Sequence, residues 1–165
     1  MSQFISVFDM LKIGVGPSSS HTLGPWRAAQ QWISKLKESS RFLWVDEVKV
    51  DLYGSLSLTG KGHATDAAIL LGLSGTDPEF IPIEEIDAIL AAVIESSLLY
   101  LNNEKMISFS IDNIQFNKEF LPLNPNGMTF TAFQNKELIS KETYYSIGGG
   151  FIIQDDDSLV DEIEV

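Results

Sequence analysis

Hydrophobic positions recur at helical spacing through the first part of the chain and at alternating spacing through its last third. Trp26, Ala29, Ile33 and Leu36 predict one buried helical face, with Pro25 suited to the first turn of that helix. Upstream, Ser6 and Asp9 have the spacing of a capping box for a short helix ending near Lys12, and Gly14 to Pro25 reads as a loop. Val48, Val50 and Leu52 alternate with Lys49 and Asp51, the pattern of a half-buried strand. A Gly-rich stretch, Tyr53 to His63, leads into a small apolar helix from Ala64 to Leu73. Pro82 precedes another helical pattern that points Ile86, Leu90, Val93 and Leu98 inward. Strands are expected at Met106 to Ile111, Ile114 to Phe116, Met128 to Phe133 and Thr143 to Ile147, with Phe and Tyr side chains in the core. Helices with one strand, followed by a run of strands, predict an α+β fold with a mixed, largely antiparallel sheet packed with helices.

Ile152 and Ile153 are expected to be the last well-buried residues. From Asp155 to Val165 six carboxylates and no base follow, half of the net charge of −12. The expected organisation is therefore one domain, 1–153, and an acidic linker or tail, 154–165. With 44% hydrophobic residues in 165, the chain can bury a core. Its negative charge repels phosphate backbones and anionic lipid, which argues against nucleic acid and membrane surfaces as partners. No stretch approaches 18 apolar residues, and Met1 to Lys12 lacks the basic start of a signal peptide, so a soluble, cytoplasmic protein is expected. Cysteine is absent, which excludes disulfides, a thiol nucleophile and an iron–sulfur cluster held by this chain, and leaves no metal site in evidence.

The two histidines, His21 and His63, both lie in Gly/Ser-rich runs that open helices. Around His21 the hydroxyls of Ser18, Ser19, Ser20 and Thr22 leave little to bury. A helix starting near Pro25 would aim backbone N–H groups and a positive dipole end at this run, a place suited to a small carboxylate or phosphate. A solvent-exposed capping loop is the alternative. Around His63, Gly60 and Gly62 permit sharp turns and close approach of a ligand. A helix N-terminus disfavours the protonated ring, and a neutral imidazole is what a general base requires; a merely capping histidine is the alternative. Gly60-Lys61-Gly62 lacks P-loop spacing, and no Gly-x-Ser-x-Gly elbow accompanies Ser20 and His21, so neither nucleotide binding nor a Ser–His–Asp hydrolase is indicated. Gly148-Gly149-Gly150 marks either a tight turn or a close approach to a ligand or partner domain, and Asn126-Gly127 marks a turn.

Taken together, Ser6-Val-Phe-Asp-Met, Gly16-Pro-Ser-Ser-Ser-His-Thr-Leu-Gly-Pro25, Tyr53-Gly-Ser-Leu-Ser-Leu-Thr-Gly-Lys-Gly-His63 and Tyr144-Tyr-Ser-Ile-Gly-Gly-Gly-Phe151 resemble one family. The chain is similar to the β domain of the iron–sulfur-dependent L-serine dehydratases (L-serine ammonia-lyases), over nearly its whole length apart from the acidic tail. The resemblance implies a two-part lyase of serine catabolism and gluconeogenesis that converts L-serine to pyruvate and ammonia. It implies an α domain or subunit whose cysteines hold a [4Fe–4S] cluster, with one iron free to draw off the hydroxide as a Lewis acid, no pyridoxal phosphate, assembly as a homo-oligomer, and inactivity of this chain alone. It also implies a base for the α proton, with His63 leading and His21 as runner-up or substrate-orienting group. Ser18, Ser19, Ser20, Thr22 and Gly62 become candidates for holding the substrate. Asn124 departs from the family, many of whose members carry histidine there, so the resemblance carries no catalytic role over to this position and leaves the role of Asn124 open. The fold also resembles the allosteric small-ligand domain of some D-3-phosphoglycerate dehydrogenases, which keeps a serine-sensing domain without catalysis as the alternative.

Overall fold

The computed structural model describes residues 19–60 and 64–155. The expected helix before Lys12, the Gly14 and Gly16 positions, Ser18, Gly62, His63 and the acidic residues beyond Asp155 lie outside them.

A π-helical turn, Ser19–Leu23, runs directly into helix α1, Gly24–Glu38, with Pro25 in its first turn. Helical backbone therefore begins inside the hydroxyl run, upstream of Pro25, where a loop is expected from the sequence. The predicted face of α1 is buried, and Trp32 joins it fully enclosed. After a 3-10 turn, strand β1 spans Glu47–Leu52 with the predicted alternation of burial. Two short helices follow: α2, Gly54–Gly60, and α3, Thr65–Leu73. The first lies within the Gly-rich stretch Tyr53 to His63, to which the sequence pattern assigns no helix of its own: Ser55, Leu56, Ser57 and Leu58 separate its glycines, and Leu56 is buried.

Helix α4, Ile83–Ser96, buries Ile86, Leu90 and Val93 as predicted. Leu98 does not extend that face. Ser97 takes a left-handed conformation (φ 52°) that ends the helix, and Leu98 opens strand β2, Leu98–Leu101, which pairs with β3, Lys105–Ser108, as a separate hairpin. The main sheet adds β4, Ile114–Phe116; β5, Gly127–Gln134; β6, Glu137–Gly148; and β7, Phe151–Gln154. Its order is β4-β1-β5-β6-β7, with β1 and β4 parallel and every other pair antiparallel, so the α+β class with a mixed, largely antiparallel sheet holds. On β7, Ile152 packs against the core while Ile153 is 45% exposed, because successive strand residues face opposite ways. Only the first of the two isoleucines is thus an inward residue.

Helix α1 covers one face of this sheet. Trp32 stacks on Phe130 at 5.3 Å between ring centroids, and Phe130 meets Tyr144 edge-on at 5.8 Å. Trp26 and Trp32 donate their indole N–H groups to the Thr76 carbonyl (3.0 Å) and Ser140 Oγ (3.2 Å), so neither donor is buried unpaired. The strand pairings bring the carboxyl ends of β1, β4 and β6 and the amino ends of β5 and β7 to one end of the sheet.

Candidate active site

That end of the sheet gathers segments that are far apart in sequence. His21 sits in the π-turn, half-buried, beside half-buried Ser20 and buried Thr22. Its carbonyl accepts a hydrogen bond from Thr65 Oγ1 at 2.5 Å. Thr65 is fully buried at the start of α3, so this bond ties the His21 turn to the helix that follows the second Gly-rich stretch.

The other flank of that stretch is anchored too. The Tyr53, Gly54 and Ser55 amides donate to the carbonyls of Gly127 (3.0 Å), Glu119 (2.8 Å) and Pro125 (2.8 Å). Gly54 is required here: its φ is +56°, and a Cβ would lie 2.4 Å from the Pro125 oxygen. The start of α2 is thereby sewn to the segment that delivers Asn126 into β5. Asn124, where the family resemblance places histidine in many members, uses its Oδ1 to accept the Asn126 amide at 2.8 Å, which makes it a turn former in this chain.

Asn126 is the residue that the sequence reading passed over as a turn signal. Its backbone carbonyl accepts the Ser146 amide at 3.0 Å, and its Nδ2 donates to the Ser146 carbonyl at 3.3 Å. Among the described residues, Asn126 Oδ1 and Ser146 Oγ are buried side-chain atoms without a hydrogen bond of good geometry. Nothing in local sequence marks Asn126 as more than a turn; only the pairing of the β5 start with the β6 end brings it beside His21 and Ser146.

Burial lowers the pKa of His21 below its ordinary value of 6.5, and the Asn126 side chain acts in the opposite sense by favouring a proton on the ring. The balance leaves a neutral imidazole at pH 7, the protonation state of a general base. The third glycine cluster closes the site's edge. Gly148, Gly149 and Gly150 have φ values of 98°, 64° and 80°, and a Cβ on Gly150 would lie 2.7 Å from Leu23 Cδ2. It is therefore a tight turn, and its close approach is to the end of the His21 turn.

The structure thus brings Ser20, His21 and Thr22 together with the flanks of the 54–65 stretch, Asn126, Ser146 and the glycine turn. Ser19 begins the π-turn. Ser18, Gly62 and His63 are outside the described residues. The donor set does not fit an iron–sulfur cluster: the sequence has no cysteine, and no group of three or more His, Asp or Glu that could hold a metal ion occurs among the described residues.

A family model for the serine dehydratase beta chain matches residues 6–157. The L-serine dehydratase of Haemophilus influenzae is 47% identical over 154 residues, covering 92% of this chain and 34% of the relative. L-serine dehydratase TdcG of Escherichia coli gives the same identity and coverage. The L-serine dehydratase of Streptomyces coelicolor is 41% identical over 163 residues, covering 96% of this chain and 36% of its own. The chain spans about a third of the length of these relatives.

Proposed function

The chain belongs to the serine dehydratase beta chain family, and from that premise we propose that it is the β part of an L-serine dehydratase. The reaction removes the α proton and the β hydroxyl of L-serine, and the aminoacrylate formed tautomerises and hydrolyses to pyruvate and ammonia. Since the relatives are about three times longer and this chain has no thiolates, the group that activates the hydroxyl, a [4Fe–4S] cluster, belongs to an α part. Pyridoxal phosphate has no role in this reading.

The observation that carries the proposal is the gathering of the His21 turn, both flanks of the His63 stretch and the glycine turn at one end of the sheet. His63 is the leading candidate to take the α proton: it lies two residues before Thr65, which is bonded to the His21 turn. His21 orients the substrate, or exchanges roles with His63; its neutral ring suits either task. Ser18, Ser19, Ser20, Thr22 and the backbone at Gly62 hold the carboxylate and amino groups.

The test is anaerobic reconstitution of this chain with the cysteine-bearing remainder of a relative, following pyruvate formed from L-serine. Turnover is expected only with both parts present. His63→Ala should lower kcat by about 10²–10⁴, the scale of a lost general base, with little change in KM. Ser19→Ala should mainly raise KM. Serine binding by the chain with no turnover in any reconstitution would instead favour the sensing role.

A further inference from the structure

We propose that Asn126 is a positioning residue for His21: its side-chain oxygen accepts the ring N–H and so fixes which imidazole nitrogen is left with a free lone pair. The amide has one workable orientation. The Ser146 carbonyl can only accept, so Nδ2 must face it, as the 3.3 Å contact records, and Oδ1 is turned the other way. That oxygen is buried and has no other well-formed hydrogen bond, which is costly unless a donor completes it. The available donor is the ring: the Asn126 side chain favours the protonated imidazole, and only an acceptor facing the ring does so. Asn126 is itself held at both ends. Its amide is bonded to Asn124 Oδ1 and its carbonyl to the Ser146 amide, so the oxygen is presented from rigid backbone at the start of β5.

A neutral imidazole has one N–H and one lone pair, and the partner of the N–H decides where the lone pair points. With the N–H directed at Asn126, the second nitrogen is the one offered to a ligand. The catalytic consequence rests on the proposed dehydratase reading; the pairing of Asn126 with His21 does not.

The two are separated by reading the ring directly. Nitrogen-15 shifts of the imidazoles in the full chain report the tautomer, and with two histidines a His63→Gln variant assigns His21. One tautomer should dominate in the parent chain. Asn126→Ala, which removes the acceptor, should release it toward a mixture of the two tautomers. Ser146→Ala removes only the orphan hydroxyl and keeps the carbonyl that anchors the amide, so the tautomer should stay as in the parent. An unchanged tautomer in well-folded Asn126→Ala, or equal loss in Ser146→Ala, overturns the proposal whatever the enzyme's activity. In reconstituted enzyme, Asn126→Ala should lower kcat by up to about 10²-fold with little effect on KM, the scale of a misplaced reacting group. A tautomer shift with undiminished kcat would leave the pairing intact and remove His21 from the chemistry.

Discussion

His21 makes the stability of the domain sensitive to acid, and the sign follows from its lowered pKa. Burial disfavours the charged ring in the folded state, so between the folded value and the ordinary 6.5 the unfolded chain binds more protons. Its stabilising contribution is complete above about pH 6.5 and is lost as pH falls through the folded value. The loss of urea resistance between about pH 7.5 and about pH 5.5 should therefore be smaller in His21→Asn than in the parent; an equal loss would show that His21 titrates as if exposed. Tyr144 has the opposite sense. Burial and its bond to Glu142 (2.9 Å) raise its pKa, so the folded state keeps a proton that the unfolded state releases above about pH 10. Tyr144→Phe should flatten the decline of the unfolding midpoint above that pH. At this scale the histidines were legible as chemistry because their surroundings offered so little to bury. Asn126 was not, since its significance comes from a cross-strand neighbour 20 residues away in sequence.

Elements with strong periodicity and clear punctuation were readable: α1 from its apolar face and Pro25, β1 from strict alternation, α3 and α4 from apolar spacing. What escaped was set by context. Helix α2 is built from a Gly/Ser-rich run whose start is held by bonds to the 119–127 segment. Strand β2 continues an apolar pattern across a left-handed Ser97 where no glycine or asparagine marks the end of the helix, and β7 is short enough to be taken for the end of the core. The turn between β6 and β7 separates two costs that sequence alone merges. Gly148→Ala meets no neighbour within 4 Å and should lose only the left-handed preference, about 1–2 kcal/mol. Gly150→Ala adds a clash with Leu23 at 2.7 Å, where overpacking costs about 1–3 kcal/mol more. Urea denaturation should rank the two variants in that order, and Gly150→Ala should also perturb the His21 resonances through Leu23, whereas Gly148→Ala should not. The reverse ranking would mean that the turn does not bear on the His21 segment.

Apolar side chains are left uncovered around the same end of the molecule that holds the candidate site. Leu58 on α2, Phe120 and Leu123 on the segment sewn to it, and Ile147 and Phe151 flanking the glycine turn are each at least half exposed. No helix among the described residues is long and apolar enough to cross a membrane, so lipid-spanning helices do not account for this surface. On the reading proposed above, an α part would cover it: the relatives are about three times the length of this chain, and burying this surface would shut water out of the candidate site. The far end of the sheet provides the control, since Trp44 is 57% exposed close to where Asp46 pairs with Phe133. Phe151→Asp and Leu123→Asp should each weaken association with a separately expressed α part by about tenfold or more, equivalent to about 1.4 kcal/mol. Trp44→Asp should change it by less than about twofold, the effect of a residue outside the contact. The measurement is a titration of the α part into labelled chain, checked against recovered turnover. Equal weakening by all three substitutions would point to general loss of fold, and weakening by Trp44→Asp alone would move the docking face to the opposite end of the sheet, away from His21.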